Sequence, residues 1–103
     1  MVPIFSTDDS LLKKYSCEVK CKKFLSSRKD ILFEELVAFA IEVGFEGEQD
    51  ASSHWVGRHP THHCDPPSYN KVNFQKMKGS KKAKPYQVKQ LIYFIYNATP
   101  KKE

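Results

Sequence analysis

Long hydrophobic runs are absent from this sequence. The longest uninterrupted apolar runs, residues 36–41 and 91–96, fall far short of the roughly 20 residues that span a bilayer. The N-terminus also lacks the basic and apolar segments of a secretory signal. We therefore expect a cytoplasmic protein with no membrane segment.

Cysteine is scarce as well. Three residues, Cys17, Cys21 and Cys64, cannot all pair within one chain. A cytosolic chain would also keep its thiols reduced. We expect free thiols and no disulfide framework.

Two segments of the chain contain almost no charge of one sign. Between Asp30 and Asp50 there are seven acids and no Lys or Arg, whereas residues 66–103 hold nine lysines against the single acid Glu103. The net charge of +5 therefore combines −3 in residues 1–65 with +8 in residues 66–103. Two interpretations stay open: the basic half is a solvated face, or it is a surface that binds a polyanion.

With 103 residues, 40% hydrophobic and 28% charged, the chain has the size and composition of one globular domain. Two segments have the apolar spacing of an amphipathic helix. The first is predicted over residues 31–43, capped by Asp30 and ended by Gly44. The second is predicted over residues 85–98, with Pro85 at its first position. Its apolar stripe consists of Val88, Leu91, Ile92 and Ile95.

Between these helices the pattern favours three strands, at residues 45–49, 53–59 and 71–77, with a loop at 60–70. The order predicts an α+β fold, in which an antiparallel three-stranded sheet carries both helices on one face. This α-β-β-β-α order is that of a double-stranded-RNA-binding-like domain. We expect the domain to cover residues 30–99, with an N-terminal arm at 1–29 and a tail at 100–103. The arm fits a strand or a helix, and the pattern does not decide.

The four histidines lie within ten residues, at His54, His59, His62 and His63, with Cys64 directly after. One interpretation is a zinc site, although no second paired motif accompanies the cluster. Another is that these are loop residues without a role. In the third, His54 acts as an acid–base group held on a strand.

Several motifs occur together in one order. They are Phe33-Glu-Glu-Leu, then Gly44-Phe45, Ser53-His54, Arg58-His59-Pro60, Val72-Asn73-Phe74-Gln75 and Ala83-Lys-Pro-Tyr-Gln-Val88. Over about residues 24–98 this series resembles the HicA toxins of type II toxin–antitoxin systems. The resemblance implies the fold predicted above and an mRNA-cleaving ribonuclease (mRNA interferase) that a HicB antitoxin neutralises. It also implies that His54 is the catalytic histidine.

A metal-independent mechanism follows as a hypothesis. His54 would move the proton that lets a 2′-hydroxyl attack the adjacent phosphodiester, and no cofactor is required. Arg58 and Lys84 are candidates for stabilising the phosphorane, and Ser53 is expected to position the strand. The RNA phosphates would be held by the basic turn and the helix start, at Lys76, Lys78, Lys81, Lys82 and Lys84. The alternative is a non-catalytic RNA-binding or partner-binding module with the same fold.

Overall fold

The computed structural model describes residues 10–50, 54–64 and 70–100. These residues form an α+β structure with one three-stranded antiparallel sheet. In chain order the elements are α1 (Leu11–Lys14), α2 (Glu18–Ser26), α3 (Phe33–Glu42), β1 (Glu46–Gln49), β2 (Trp55–Arg58), β3 (His62–His63), β4 (Lys71–Phe74), α4 (Pro85–Asn97) and β5 (Thr99–Pro100). In this part of the chain, no helix is long and apolar enough to cross a membrane.

The sheet has the strand order β1-β2-β4, and both neighbouring pairs are antiparallel. The three strands predicted between the helices are confirmed, although each is shorter than expected. In the register, β2 places Trp55 beside Phe74 and Arg58 beside Lys71. Because side chains alternate between the two faces of a strand, Trp55 and Gly57 lie on the inner face with Val72 and Phe74.

Trp55 packs inside this face, as expected for a strand residue. Its ring stacks on Phe74 with centroids 6.0 Å apart and an interplanar angle of 16°. The same ring lies over Gly57, where a Cβ would come within 2.4 Å of it. A glycine two residues after the tryptophan therefore leaves room for the indole on the same face of the strand.

Helix α3 begins two residues later than the sequence indicated. Its N-cap is Leu32, whose N–H donates to the Glu35 carboxylate at 2.9 Å. The predicted cap at Asp30 is wrong, because residues 31–32 are extended and pair with the chain at 82–83. The predicted end is confirmed: Gly44 follows the C-cap with φ +106°, in the left-handed region that glycine tolerates.

Helix α4 confirms the second predicted helix, with Pro85 in its first turn and the predicted stripe buried. Phe94 joins that core, whereas Tyr93 and Tyr96 are exposed on the other side of the helix. Both helices α1 and α2 contact α4.

In the predicted arm, for which strand and helix were both open, the described residues 10–29 contain helices α1 and α2, and residues 1–9 lie outside the described residues. Its buried side chains belong to the same hydrophobic core as α3 and α4, and they are Leu11, Cys17, Cys21 and Phe24. Phe24 packs on Phe39 of α3 with ring centroids 4.8 Å apart. One hydrophobic core therefore includes side chains from the predicted arm, before residue 30, and from the predicted domain after it.

The predicted loop at 60–70 contains regular structure that the sequence did not reveal. His62 and His63 form β3, which pairs with β5 after the last helix, His62 beside Pro100 and His63 beside Thr99. A two-residue strand is too short to show a periodicity, and its partner lies more than thirty residues away. Residues 65–69 of the predicted loop lie outside the described residues.

Candidate functional site

The sequence predicted His54 on a strand, but His54 stands directly before β2, because β2 begins at Trp55. The N–H of Asp50 donates to the carbonyl of His54 at 2.8 Å, and the N–H of His54 donates to Asp50 Oδ1 at 3.0 Å. These two bonds hold the main chain of His54 against Asp50, and the His54 side chain is 30% exposed. Residues 51–53 lie outside the described residues.

The same carboxylate faces the imidazole. His54 Nδ1 lies 4.0 Å from Asp50 Oδ1, which is the outer limit of an ion pair. This separation is too long for a hydrogen bond, and the two groups attract each other when the imidazole is protonated. Asp50 was not identified from the sequence as a neighbour of His54.

Arg58 lies at the other end of β2. By strand alternation His54, Val56 and Arg58 share the outer face, and four residues of strand separate the two ends by about 13 Å. In the register Arg58 stands between Glu46 and Lys71. The structure therefore places Arg58 on the face of His54 but not next to its imidazole.

The basic turn, residues 76–84, begins next to His54. The last pair of the β2–β4 register is Trp55 with Phe74, so His54 and Gln75 each stand one residue beyond it, and Lys76 follows Gln75. The turn closes through the Lys76–Ala83 bridge and a hydrogen bond from Met77 N–H to Lys82 O at 2.8 Å. The sequence predicted a flexible basic turn over residues 79–82, and the structure has a turn at this position that is closed by these contacts.

The lysines of this turn differ in their surroundings. Lys78 and Lys81 are exposed. Lys82 Nζ lies 3.1 Å from Asp30 Oδ1, and Lys76 Nζ lies over the Phe33 ring, 5.7 Å from its centroid. Lys84 is the N-cap residue of α4. Ser53, the remaining predicted site residue, lies outside the described residues.

His59 has a structural environment that differs from that of His54. It is 2% exposed, and its Nε2 lies 2.9 Å from the carbonyl of Val43, which can only accept a hydrogen bond. Its Nδ1 accepts from the backbone N–H groups of Thr61 and His62 at 3.3 and 3.2 Å. These partners assign the neutral ring with the proton on Nε2. His59 thus joins the end of α3 to the segment after β2.

Gly44 is adapted to this histidine. A Cβ at Gly44 would lie 2.8 Å from His59 Nε2 and 2.9 Å from the Tyr15 hydroxyl. The glycine therefore gives the chain its left-handed turn and also leaves space for the imidazole.

The other histidines are not assembled into a metal centre. His62 is buried, with Nδ1 2.8 Å from Thr61 Oγ1, and Cys64 is buried as well. Both nitrogens of His59 already have backbone partners. Among residues 10–50, 54–64 and 70–100, no group of three or more metal-binding side chains occurs.

Gln87 is a second residue whose role the sequence did not show. It is buried at the start of α4, where its side-chain oxygen accepts from Gln75 N–H and its nitrogen donates to Asn73 O, both at 2.9 Å. The amide thereby continues the hydrogen-bond pattern of β4 at its outer edge. Its partners lie twelve and fourteen residues before it in the chain, so no local pattern indicated this role.

The free thiols on α2 and its N-cap do not form a reactive centre. Cys17 and Cys21 are buried with their sulfur atoms 4.0 Å apart. Burial, together with the neighbouring Cys17, raises the pKa of Cys21 from 9.0 to about 12. Burial also raises the pKa of Cys17. Both thiols are therefore protonated and poorly nucleophilic near neutral pH.

No protein-family model, curated protein or solved structure matches this chain. A function for this chain therefore has to be inferred from its own residues. His54 and Asp50 form a pair at one end of the sheet, and the basic turn begins next to them.

Proposed function

We propose that this chain is a toxin-type ribonuclease similar to the HicA family, which binds and cleaves mRNA in the cytoplasm and is neutralised by a HicB-like antitoxin. The α+β arrangement would then be a double-stranded-RNA-binding-like fold with helices α1 and α2 added before it. The observation that carries the proposal is the position of His54. It lies beside the Asp50 carboxylate and directly before β2, the strand that pairs with β4, and β4 leads into the basic turn.

In the proposed reaction His54 Nε2 takes the proton of a ribose 2′-hydroxyl. The 2′-oxygen then forms a bond to the adjacent phosphorus while the bond from phosphorus to the 5′-oxygen breaks. The proton passes from His54 to that 5′-oxygen, so the products are a 2′,3′-cyclic phosphate and a 5′-hydroxyl. The Asp50 carboxylate, 4.0 Å from His54 Nδ1, stabilises the imidazolium that forms during the reaction.

The basic turn supplies the affinity for the RNA backbone. Lys78 and Lys81 are exposed, and within the described part of the chain neither forms an ion pair, so both can neutralise phosphates. Lys84 stands at the start of α4, as the N-cap residue of that helix. Arg58, at the far end of β2, contacts a neighbouring phosphate rather than the one that is cleaved.

A second candidate is a binding module with the same fold that does not cleave RNA. The distance between Arg58 and His54 favours it, because a developing negative charge on phosphorus would lack the arginine as a partner. Such a module would still use the basic turn to bind RNA.

End-group analysis separates the two candidates. Purified protein is incubated with a mixed-sequence RNA and, as the matched control, with the same sequence in 2′-O-methyl form, which lacks the nucleophile. The ribonuclease proposal expects cyclic-phosphate ends from the RNA, also in the presence of a chelator, and none from the methylated strand. Binding of both strands without any new ends supports the non-catalytic module, and cleavage of the methylated strand contradicts the proposed chemistry.

A further inference from the structure

A groove runs between the outer edge of β4 and the first turns of α4. Its volume is about 440 Å³. Besides Val72, it is lined by Lys71, Asn73, Gln75, Tyr86, Gln87 and Gln90. We call it the amide groove, because four of these side chains carry a carboxamide.

The charge of the amide groove suits a polyanion. None of its lining residues is acidic, and Lys71 contributes a positive charge. A second groove has a similar volume of about 410 Å³, and its lining includes the two acids Glu46 and Glu48 together with the two bases Arg58 and Lys71. The charges of that lining cancel, whereas the lining of the amide groove has a net positive charge from Lys71, so the amide groove is the better match for RNA of these two.

The wall of the amide groove is held in place from within. Gln87 is buried, and its amide bonds Gln75 and Asn73 of the β4 edge. Its nitrogen also lies 3.5 Å from the Tyr86 hydroxyl. Since Gln87 has its partners inside the protein, its role is to fix the distance between β4 and α4. A groove with fixed walls loses little entropy when a ligand binds.

The remaining side chains offer what an unpaired base requires. Tyr86 is 55% exposed, and a tyrosine ring at a groove rim provides a face on which a base can stack. Asn73 and Gln90 are exposed and Gln75 is half-buried, and each amide presents both donors and an acceptor to a base edge. Lys71 is placed to contact a phosphate of the same nucleotide.

We propose that the amide groove binds one unpaired base of single-stranded RNA, stacked on Tyr86 and read at its edge by Asn73, Gln75 and Gln90. This inference rests on the proposed function, which supplies RNA as the ligand. Because Gln75 and His54 each stand one residue beyond the last pair of the β2–β4 register, Trp55 with Phe74, the bound nucleotide lies close to the phosphodiester that His54 would attack. The groove would then set the sequence preference of cleavage.

The test compares two tyrosines of the same helix. Tyr86→Ala removes the stacking ring, and Tyr93→Ala is the matched control, because Tyr93 is 54% exposed and does not line the groove. The measurement is the affinity for fluorescent single-stranded RNA homopolymers of each base. Loss of one stacked base should weaken binding of the preferred homopolymer about fivefold to a hundredfold. Tyr86→Phe should retain most of the affinity, and Tyr93→Ala should bind as the wild type does.

Two further measurements test the details. The salt dependence should be unchanged in Tyr86→Ala, because no phosphate contact is lost. Gln90→Ala should reduce the differences among the four homopolymers while it keeps the thermal melting temperature. Equal differences in the wild type and in Gln90→Ala would overturn the assignment of Gln90 as a reader of the base edge.

The outcomes separate this inference from the proposed function. If Tyr86→Ala binds every homopolymer as tightly as Tyr93→Ala does, while lysine variants of the basic turn bind weakly, the amide groove is wrong and RNA binding stands. If the wild type binds no RNA at all, both proposals fail. If Tyr86→Ala unfolds, the other two variants still test the groove. Retained affinity in Tyr86→Phe together with reduced base discrimination in Gln90→Ala is expected only of a groove that reads the base.

Discussion

Replacing His59 by alanine should strongly destabilise the protein, whereas the same change at His54 should not. His59 is 2% exposed and packs between the rings of Phe45 and Phe94, at centroid distances of 5.1 and 5.8 Å. The substitution removes the donor to Val43 O and the acceptor for two backbone N–H groups. It also leaves a cavity where the imidazole was.

The magnitude follows from these two losses. An unsatisfied buried polar group costs about 1–3 kcal/mol, and a partly relaxed core cavity adds a similar amount. We expect His59→Ala to lower the free energy of unfolding by about 3–5 kcal/mol. For a domain of this size that lowers the melting temperature by at least about 12 °C. The His54 side chain is partly exposed, so His54→Ala should change the unfolding free energy by about 0.5 kcal/mol or less.

Urea unfolding followed by tryptophan fluorescence measures both variants, because Trp55 is the single tryptophan and is buried. The slope of unfolding free energy against urea should be the same in all three proteins, and only the midpoint of His59→Ala should fall. A His59→Ala midpoint equal to that of the wild type would show that the hydrogen bonds of His59 do not stabilise the fold. A large loss of unfolding free energy in His54→Ala would show that His54 belongs to the core, and it would refute the assignment of His54 to a functional site.

Replacing Lys78, Lys81 and Lys82 of the basic turn with glutamine should flatten the salt dependence of RNA binding. Each lost phosphate contact should remove about 0.7 to 0.9 from the log–log slope, and an unchanged slope would mean that these lysines are only solvated. An antitoxin should cover His54 and the basic turn with acidic side chains; a cognate complex seated on α3 that leaves His54 open would contradict this. The neutral Cys21 thiol should stabilise the fold below pH 9 and lose that contribution as the pH rises towards about 12. Cys21→Ala should therefore lose less stability over this alkaline range, which urea titrations at several pH values would measure.

The elements that the sequence predicted well are those whose signal is local. The stripe of α4 and its Pro85 start need only neighbouring residues, and the structure buries that stripe. The alternation of Val72 and Phe74 likewise predicts the inner face of β4, and both side chains are buried. Gly44 ends α3 as expected, because the left-handed turn is a property of that one residue.

The features that the sequence did not reveal depend on contacts between distant segments. Asp30 has the chemistry of an N-cap, yet the pairing of residues 31–32 with 82–83 moves the helix start and leaves Asp30 beside Lys82. Gln87 meets β4 across twelve or more residues, and the partners of His59 include a carbonyl sixteen residues away. Asp50 is the exception. It lies only four residues before His54, so a local pattern could have indicated that the two residues contact each other.

Cleavage of RNA by His54→Ala, compared with the wild type under single-turnover conditions, tests the central proposal most directly. A positioned acid–base group contributes about a hundredfold to ten-thousandfold in rate, so the variant should lose nearly all cleavage. It should keep its melting temperature and its RNA affinity, because the fold rests on His59 and the affinity on the lysines. A His54→Ala variant that cleaves RNA as fast as the wild type would contradict the assignment of His54 as the catalytic residue.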